Sequence, residues 1–226
     1  GCTHGIIHRL VAEAIEELGI DGKTVGVASV GCSVMCYDYF TCDMVQAPHG
    51  RAQAVATGIK RARPEDVVFT YQGDGDLAAI GTAETVHAAT RGENITVIFV
   101  NNAIYGMTGG QIGPHPPLVG MKASHRPPRA GIPRSTAIPC TCVRFSTSSP
   151  PPAYLVRTSC NTPANVNKTK QAIHKAFQNQ LDGKGFSMVE IVTSCPTNWG
   201  LDPMKSLEYI EEKMLPEFPL GVVRDR

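Results

Sequence analysis

No run of apolar residues in this 226-residue chain approaches the roughly 20 that a membrane helix needs. Net charge is nearly absent too, since 21 Lys and Arg face 20 Asp and Glu for a formal +1. Such a balance gives no basic field for a nucleic-acid backbone and no acidic tail. The N-terminal text GCTHGIIHRLVAEAIEELG lacks a signal-peptide layout, because acidic residues interrupt its apolar positions. The expectation is a cytoplasmic chain with neither membrane nor nucleic acid as partner. A start at Gly1 rather than Met reads as processing or as a fragment. Eight cysteines, at 2, 32, 36, 42, 140, 142, 160 and 195, are too sparse for a secreted disulfide scaffold. They read as reduced thiols, with metal or cluster ligation left open for some.

What is present is a core. Hydrophobic residues make up 42 %, enough for a packed interior, and the length suits one large domain or two small ones. Residues 6–18 place Ile6, Leu10, Ala14 and Ile15 on one helical face, and Gly19 ends the helix. Short buried strands are predicted at 24–29, 67–71, 95–100 and 187–192. Helices are predicted at 50–62, 77–91, 163–181 and 203–213, the last opening after Asp202-Pro203. The order α, β, α, β, α, β with long crossovers predicts parallel strands. Residues 112–152 break the pattern: they hold ten of the 17 prolines and no helical or alternating period, and read as an irregular loop. Cys140 and Cys142 sit inside it with no companion ligand at finger spacing, which argues against a zinc site.

The informative segment is Gly73-Asp74-Gly75-Asp76, followed 25 residues later by Asn101-Asn102. Each follows a predicted strand. Neighbouring parallel strands lie about 4.8 Å apart and end at one sheet edge, where open α/β sheets bind ligands. Asp74 and Asn102 therefore offer a carboxylate and an amide oxygen, hard donors suited to Mg²⁺. Gly73, Gly75, Gly106, Gly109 and Gly110 let backbone N–H groups approach an anion. The competing reading is two ordinary turns using Gly, Asp and Asn. No GxGxxG follows a strand, so this is not the dinucleotide fingerprint.

GDG, 25 residues and NN resemble the thiamine-pyrophosphate motif. The longer text GCTHGIIHRL, VGCSVMCYDYF, DMVQAPHGRAQAVATGIKRA, NNAIYGMTGGQ and CPTNWG resembles the β subunit of 2-oxoacid:ferredoxin oxidoreductases, nearest the 2-oxoisovalerate and 2-oxoglutarate types. The resemblance covers about residues 1–124 and 153–223. It implies a three-layer, parallel-sheet α/β fold that binds thiamine pyrophosphate, in a single domain over 1–226. It implies Mg²⁺ on Asp74, Asn102 and the Ile104 carbonyl, and Gly106, Met107 and Thr108 around the diphosphate, with Gly73, Gly75 and Asp76 beside them. Cys32, Ser33, His49 and Gly50 would line the thiazolium side, with His49 and Cys32 nearest the chemistry. His4 joins them or merely serves the helix start.

The family also carries a [4Fe–4S] cluster, which needs four thiolates. The matching residues are Cys2, Cys32 and Cys195, with the fourth Cys outside this sequence. Cys36, Cys42 and Cys160 read as buried apolar residues. The implied reaction is oxidative decarboxylation of a 2-oxoacid to acyl-coenzyme A and CO₂, with electrons passing to ferredoxin. The family takes the Glu that activates the cofactor from elsewhere. None is evident here, and Glu84 reads as an exposed helix position. An α subunit supplying that Glu, a ferredoxin-like subunit and ferredoxin are the implied partners. The alternatives are another thiamine-dependent decarboxylase, a non-catalytic Mg²⁺–phosphate module, or a damaged gene product. The last arises because residues 125–152 change composition abruptly between family-like flanks, as either a genuine loop or two compensating frame shifts would produce.

Overall fold

The computed structural model describes residues 2–112 and 152–226. The expectations for 125–152, and for Cys140 and Cys142, lie outside these. Among the described residues no helix is long and apolar enough to cross a membrane.

The first half builds β1 (Thr24–Ala28), β2 (Asp43–Gln46), β3 (Val67–Gly73) and β4 (Thr96–Asn101). A short antiparallel pair follows, β5 (Ile104–Tyr105) with β6 (Gln111–Ile112). The segment expected to be irregular from 112 onward therefore begins with a paired residue, because Ile112 faces Ile104 across this ladder. After it come β7 (Tyr154–Ser159), β8 (Ser187–Val192) and β9 (Gly221–Asp225). The main sheet runs β2-β1-β3-β4-β8-β7-β9, parallel throughout except that β9 is antiparallel to β7. VVFTYQG and TVIFVN show why such strands sit centrally. They are rich in β-branched and aromatic residues and lack the polar alternation of a one-sided sheet.

Helices cover both faces, giving the three layers expected. On one side α1 (His4–Glu17) and α4 (Pro163–Leu181) pack Ile7, Val11, Ile173 and Phe177 against Phe69, Tyr71, Ile98 and Val189. On the other, α2 (Ala52–Ala62) and α3 (Thr82–Thr90) bring Ala52, Ala56 and Ala88 against Val68, Val97 and Phe99. Small residues on α2 and α3 allow a close approach to the sheet. The inner face of α1 differs by one residue from the sequence reading: Ile6 is 40 % exposed, and Ile7 and Val11 are buried instead. Both phases satisfy a 3.6-residue period, and tertiary packing selects the second.

Two expected helices are interrupted. The segment after GDGD begins as a π-helical turn, Gly75–Ile80, before α3. Near the C-terminus, α5 (Pro196–Trp199) precedes α6 (Pro203–Tyr209), which continues as a π-helical turn, Ile210–Met214. Asp202 caps α6 by accepting the Met204 N–H at 2.8 Å, with Pro203 at the first position, as the Asp-Pro signal implied. Trp199, Ile210, Met214 and Phe218 form a third apolar cluster against Ala103, Ile104 and Val192. That cluster backs the sheet edge where the candidate site lies.

Candidate functional site

Gly73 of β3 pairs with Val100 of β4, so the chain leaves both strands at the same edge. Asp74 follows immediately on one and Asn102 on the other. Asp74 is 3 % exposed, and its Oδ1 accepts the Gly75 N–H at 2.7 Å. Its Oδ2 is buried with no hydrogen-bond partner. Burial raises the Asp74 carboxyl to about 7, and the N–H groups of Gly75, Ile104 and Ala103 pull it back. A buried carboxylate oxygen without a donor is a cost that a cation removes. The Asn102 Oδ1 accepts the Ile104 N–H at 3.2 Å, closing a tight turn through Ala103, whose φ is 58°.

One cleft of about 150 Å³ lies over these turns. His4, Cys32, Ser33, His49, Gly73, Asp74, Gly75, Asp76, Asn102, Ile104, Gly106, Met107 and Thr108 all line it. Val30, Gly31, Val100 and Tyr105, which the sequence reading did not single out, line it too. Tyr105 lies over Gly75, where a Cβ would stand 2.7 Å from its ring. Gly50 is not in the lining. Its backbone instead meets the turn behind the cleft: a Cβ on Gly50 would stand 2.9 Å from the Gly81 nitrogen, and one on Gly81 2.6 Å from the Asp76 carbonyl. Gly50 also holds φ at 77°, a region costly for other residues.

That close approach positions Asp76. Its Oδ1 accepts from Ser29 Oγ, His49 Nδ1 and the Gly50 N–H, each at 2.6 Å. Its Oδ2 accepts from Gln72 Nε2. Four donors, three of them on Oδ1, tie the Asp76 carboxylate into the protein. It serves as a buried anchor. Because a carboxylate only accepts, His49 carries its proton on Nδ1, and its Nε2 is left without this bond. Ser29 closes the strand predicted at 24–29 and Gln72 lies just past the one predicted at 67–71; they follow the paired residues Ala28 and Tyr71, and that register brings both to Asp76.

His4 does not cap α1; the cap position is Thr3. The His4 Nδ1 lies 2.9 Å from the Tyr71 hydroxyl. Burial, then the neighbouring His8, lowers its pKa to about 4, so the neutral ring accepts from Tyr71. Glu84 is not a free exposed carboxylate. Arg51 pairs with it at 2.6 Å, and its side chain is 19 % exposed.

A Cβ placed on Gly106 would stand 3.4 Å from Cys195 Sγ and 3.5 Å from Cys32 Sγ. Two thiols distant in sequence thus both border Gly106 in the GMTG loop. Asn198 Nδ2 joins them, donating to Cys195 Sγ at 3.3 Å and to the Gly106 carbonyl at 3.0 Å. The Cys32 pKa is raised by burial and then by the charges of Cys195, Cys2 and Asp74. A thiol so placed stays protonated unless a metal displaces the proton. Cys2 is exposed, whereas Cys36, Cys42 and Cys160 are buried, and burial pushes the latter three thiols to between about 11 and about 12. Among the described residues no three His, Cys, Asp or Glu side chains converge tightly enough to hold one metal ion.

Residues 29–191 match the family described as thiamine pyrophosphate enzyme, C-terminal TPP binding domain. The ketoisovalerate oxidoreductase subunit VorA of Methanothermobacter marburgensis is 45 % identical over 226 residues, all of this chain and 47 % of that protein. The chain thus spans about half the length of that relative. The 2-oxoglutarate synthase subunit KorB of Methanocaldococcus jannaschii is 39 % identical over 201 residues, covering 88 % of this chain and 69 % of KorB. Among solved structures, the 2-oxoglutarate:ferredoxin oxidoreductase of Magnetococcus marinus, with 2-oxoglutarate, coenzyme A and succinyl-CoA bound, superposes with TM-score 0.73 at 24 % identity. It matches all of this chain and 80 % of its own, and at that identity the likeness speaks for the fold.

Proposed function

The chain belongs to the thiamine-pyrophosphate-binding subunits of the 2-oxoacid:ferredoxin oxidoreductases, and from that premise we propose that it holds Mg²⁺ and thiamine pyrophosphate in the Asp74–Asn102 cleft for oxidative decarboxylation of a 2-oxoacid. The observation that carries the reading is the Asp74 carboxylate, buried, with one oxygen lacking any donor, in the same cleft as Asn102 and the GMTG loop. Asp74, Asn102 and the Ile104 carbonyl would hold the metal. Gly106, Met107 and Thr108 would hold the diphosphate, and Gly73 and Gly75 line the same cleft without side chains to block it. His4, Cys32, Ser33 and His49 line the remaining wall. When bound, thiamine pyrophosphate supplies the carbanion chemistry that releases CO₂ from a 2-oxoacid. His49, its Nδ1–H fixed on Asp76, offers Nε2 to hold or return a proton.

The balanced reaction consumes a 2-oxoacid, coenzyme A and two oxidised one-electron carriers. It yields acyl-coenzyme A, CO₂, a proton and two reduced carriers. Cys2, Cys32 and Cys195 would contribute thiolates to a [4Fe–4S] relay. The placement of both the Cys32 and the Cys195 sulfur beside Gly106 supports this. Among the described residues the carboxylates lining the cleft are Asp74 and Asp76, and Glu84 is engaged by Arg51. The activating Glu is therefore assigned to an α subunit, with a ferredoxin-like subunit and ferredoxin completing the electron path.

The test is calorimetric titration of Mg²⁺ and thiamine pyrophosphate into the native protein and its Asp74→Ala variant. The variant should stay folded and lose cofactor binding. Equal affinity in both would defeat the assignment. Coenzyme-A-dependent reduction of a viologen dye by a series of 2-oxoacids then identifies the substrate.

A further inference from the structure

We infer that Glu190 is a positioning residue that locks the Asn102–Ile104 turn in its metal-binding shape through the side chain of Asn101. The inference deepens the Mg²⁺–pyrophosphate reading and rests on it. Ala103 is the one non-glycine residue with positive φ among those described. A Cβ makes that conformation unfavourable, and it persists where surrounding bonds over-determine it.

Those bonds come from Asn101, which is fully buried at the end of β4. Its Oδ1 accepts the Ala103 N–H at 3.1 Å, and its Nδ2 donates to Glu190 Oε1 at 2.8 Å. Its backbone carbonyl accepts the Thr193 N–H at 2.8 Å. A side-chain amide has two nearly isosteric orientations, and only one presents oxygen to Ala103. The Glu190 carboxylate decides between them. It can only accept, so the amide nitrogen must face it and the oxygen must face the turn.

Glu190 is itself held. Arg157, its registered neighbour on β7, sets Nε 2.8 Å from Glu190 Oε2. The two form an ion pair in which both side chains are buried. Burial pushes the Glu190 carboxyl up, and the Arg157 charge and the Asn101 amide oppose the push. The guanidinium lies 5.6 Å from the Phe218 ring centroid, and Nη1 reaches the Pro219 carbonyl at 3.5 Å. A buried ion pair is a poor source of stability compared with an apolar pair of similar size. Its presence beside the strained turn is explained by orientation. Asn101, Arg157 and Glu190 do not line the cleft, so their influence on the metal passes through Ala103.

The experiment titrates Mg²⁺ at fixed thiamine pyrophosphate into the complete native protein, with the metal-free thermal midpoint recorded alongside. Glu190→Gln and Asn101→Asp should each raise the Mg²⁺ half-saturation about tenfold or more, as outer-shell substitutions do. The double variant Asn101→Asp/Glu190→Gln should return most of the loss. A carboxylate at 101 then accepts both from Ala103 and from the new amide at 190. A merely structural role would move the thermal midpoint and leave the half-saturation alone. Unchanged Mg²⁺ affinity in the folded single variants, or a loss the double variant does not repair, overturns the inference. If Glu190→Gln does not fold, Asn101→Ala takes its place: the same loss is expected, and unchanged affinity again overturns the inference. Native protein that ignores Mg²⁺, or Asp74→Ala that binds like it, overturns instead the reading on which the inference rests.

Discussion

Asp76 accepts four donors while being 1 % exposed, so its substitution strands several buried groups together. Asp76→Asn turns one acceptor into a donor facing donors, and should cost about 3 kcal/mol in urea denaturation. Cofactor turnover should fall further than stability, because His49 loses its tautomer; equal losses would deny Asp76 that role. His8 governs a different property. It is 8 % exposed among Tyr39, Phe40 and Tyr71, and burial lowers its pKa from 6.5 to about 4. The unfolded chain therefore binds a proton at pH 5 that the folded chain refuses. His8's contribution is complete above about pH 6.5 and drains away as pH falls toward 4, by about 3 kcal/mol in all. The His8→Phe variant should show a flatter melting temperature between pH 6.5 and 4 than the native chain. An identical slope would mean that His8 protonates without unfolding.

At the scale of elements, the turn carrying His49 and the π-helical turn after Asp76 meet backbone to backbone at Gly50 and Gly81. Gly81→Ala has nowhere to place its methyl group and should cost about 2–3 kcal/mol. Gly58, inside α2 with nothing within 4 Å of a Cβ, is the matched control. Gly58→Ala should gain up to about 1 kcal/mol. Thermal melts of the two would separate close approach from glycine's general cost. The strands found from sequence were those with continuous apolar text: β1, β3, β4 and β8. Those missed have a physical excuse. β2 (DMVQ) and β9 (GVVRD) are edge strands that stay largely exposed. β7 (YLVRTS) carries Arg157 in its middle, a charge that argues against a central strand until Glu190 is placed beside it. Helix ends were more legible, since Asp202-Pro203 and Thr162-Pro163 state their own caps.

Across the whole molecule, the cleft collects residues from His4 to Thr108, with Cys195 and Asn198 behind its loop. GDGD and NN could be paired from sequence because they end neighbouring strands of like direction. Ser29, Gln72, Glu190 and Asn198 could not, because they meet the site through register and through segments far away in the chain. The purified chain alone should show no 2-oxoacid oxidation even with cofactor and viologen dye, since no free Glu lines the described cleft. Turnover matching that of the co-expressed complex would contradict this. The scattered origin of the cleft also has a kinetic meaning. No short stretch can assemble it, so it exists only after β1, β3, β4 and β8 have come into register. A ligand that recognises it gives nothing to the folding transition state and everything to the finished protein. In stopped-flow experiments, Mg²⁺ with thiamine pyrophosphate should leave the refolding rate unchanged and slow unfolding in proportion to occupancy. The bound chain would owe its lifetime to a late-closing lock rather than to faster assembly.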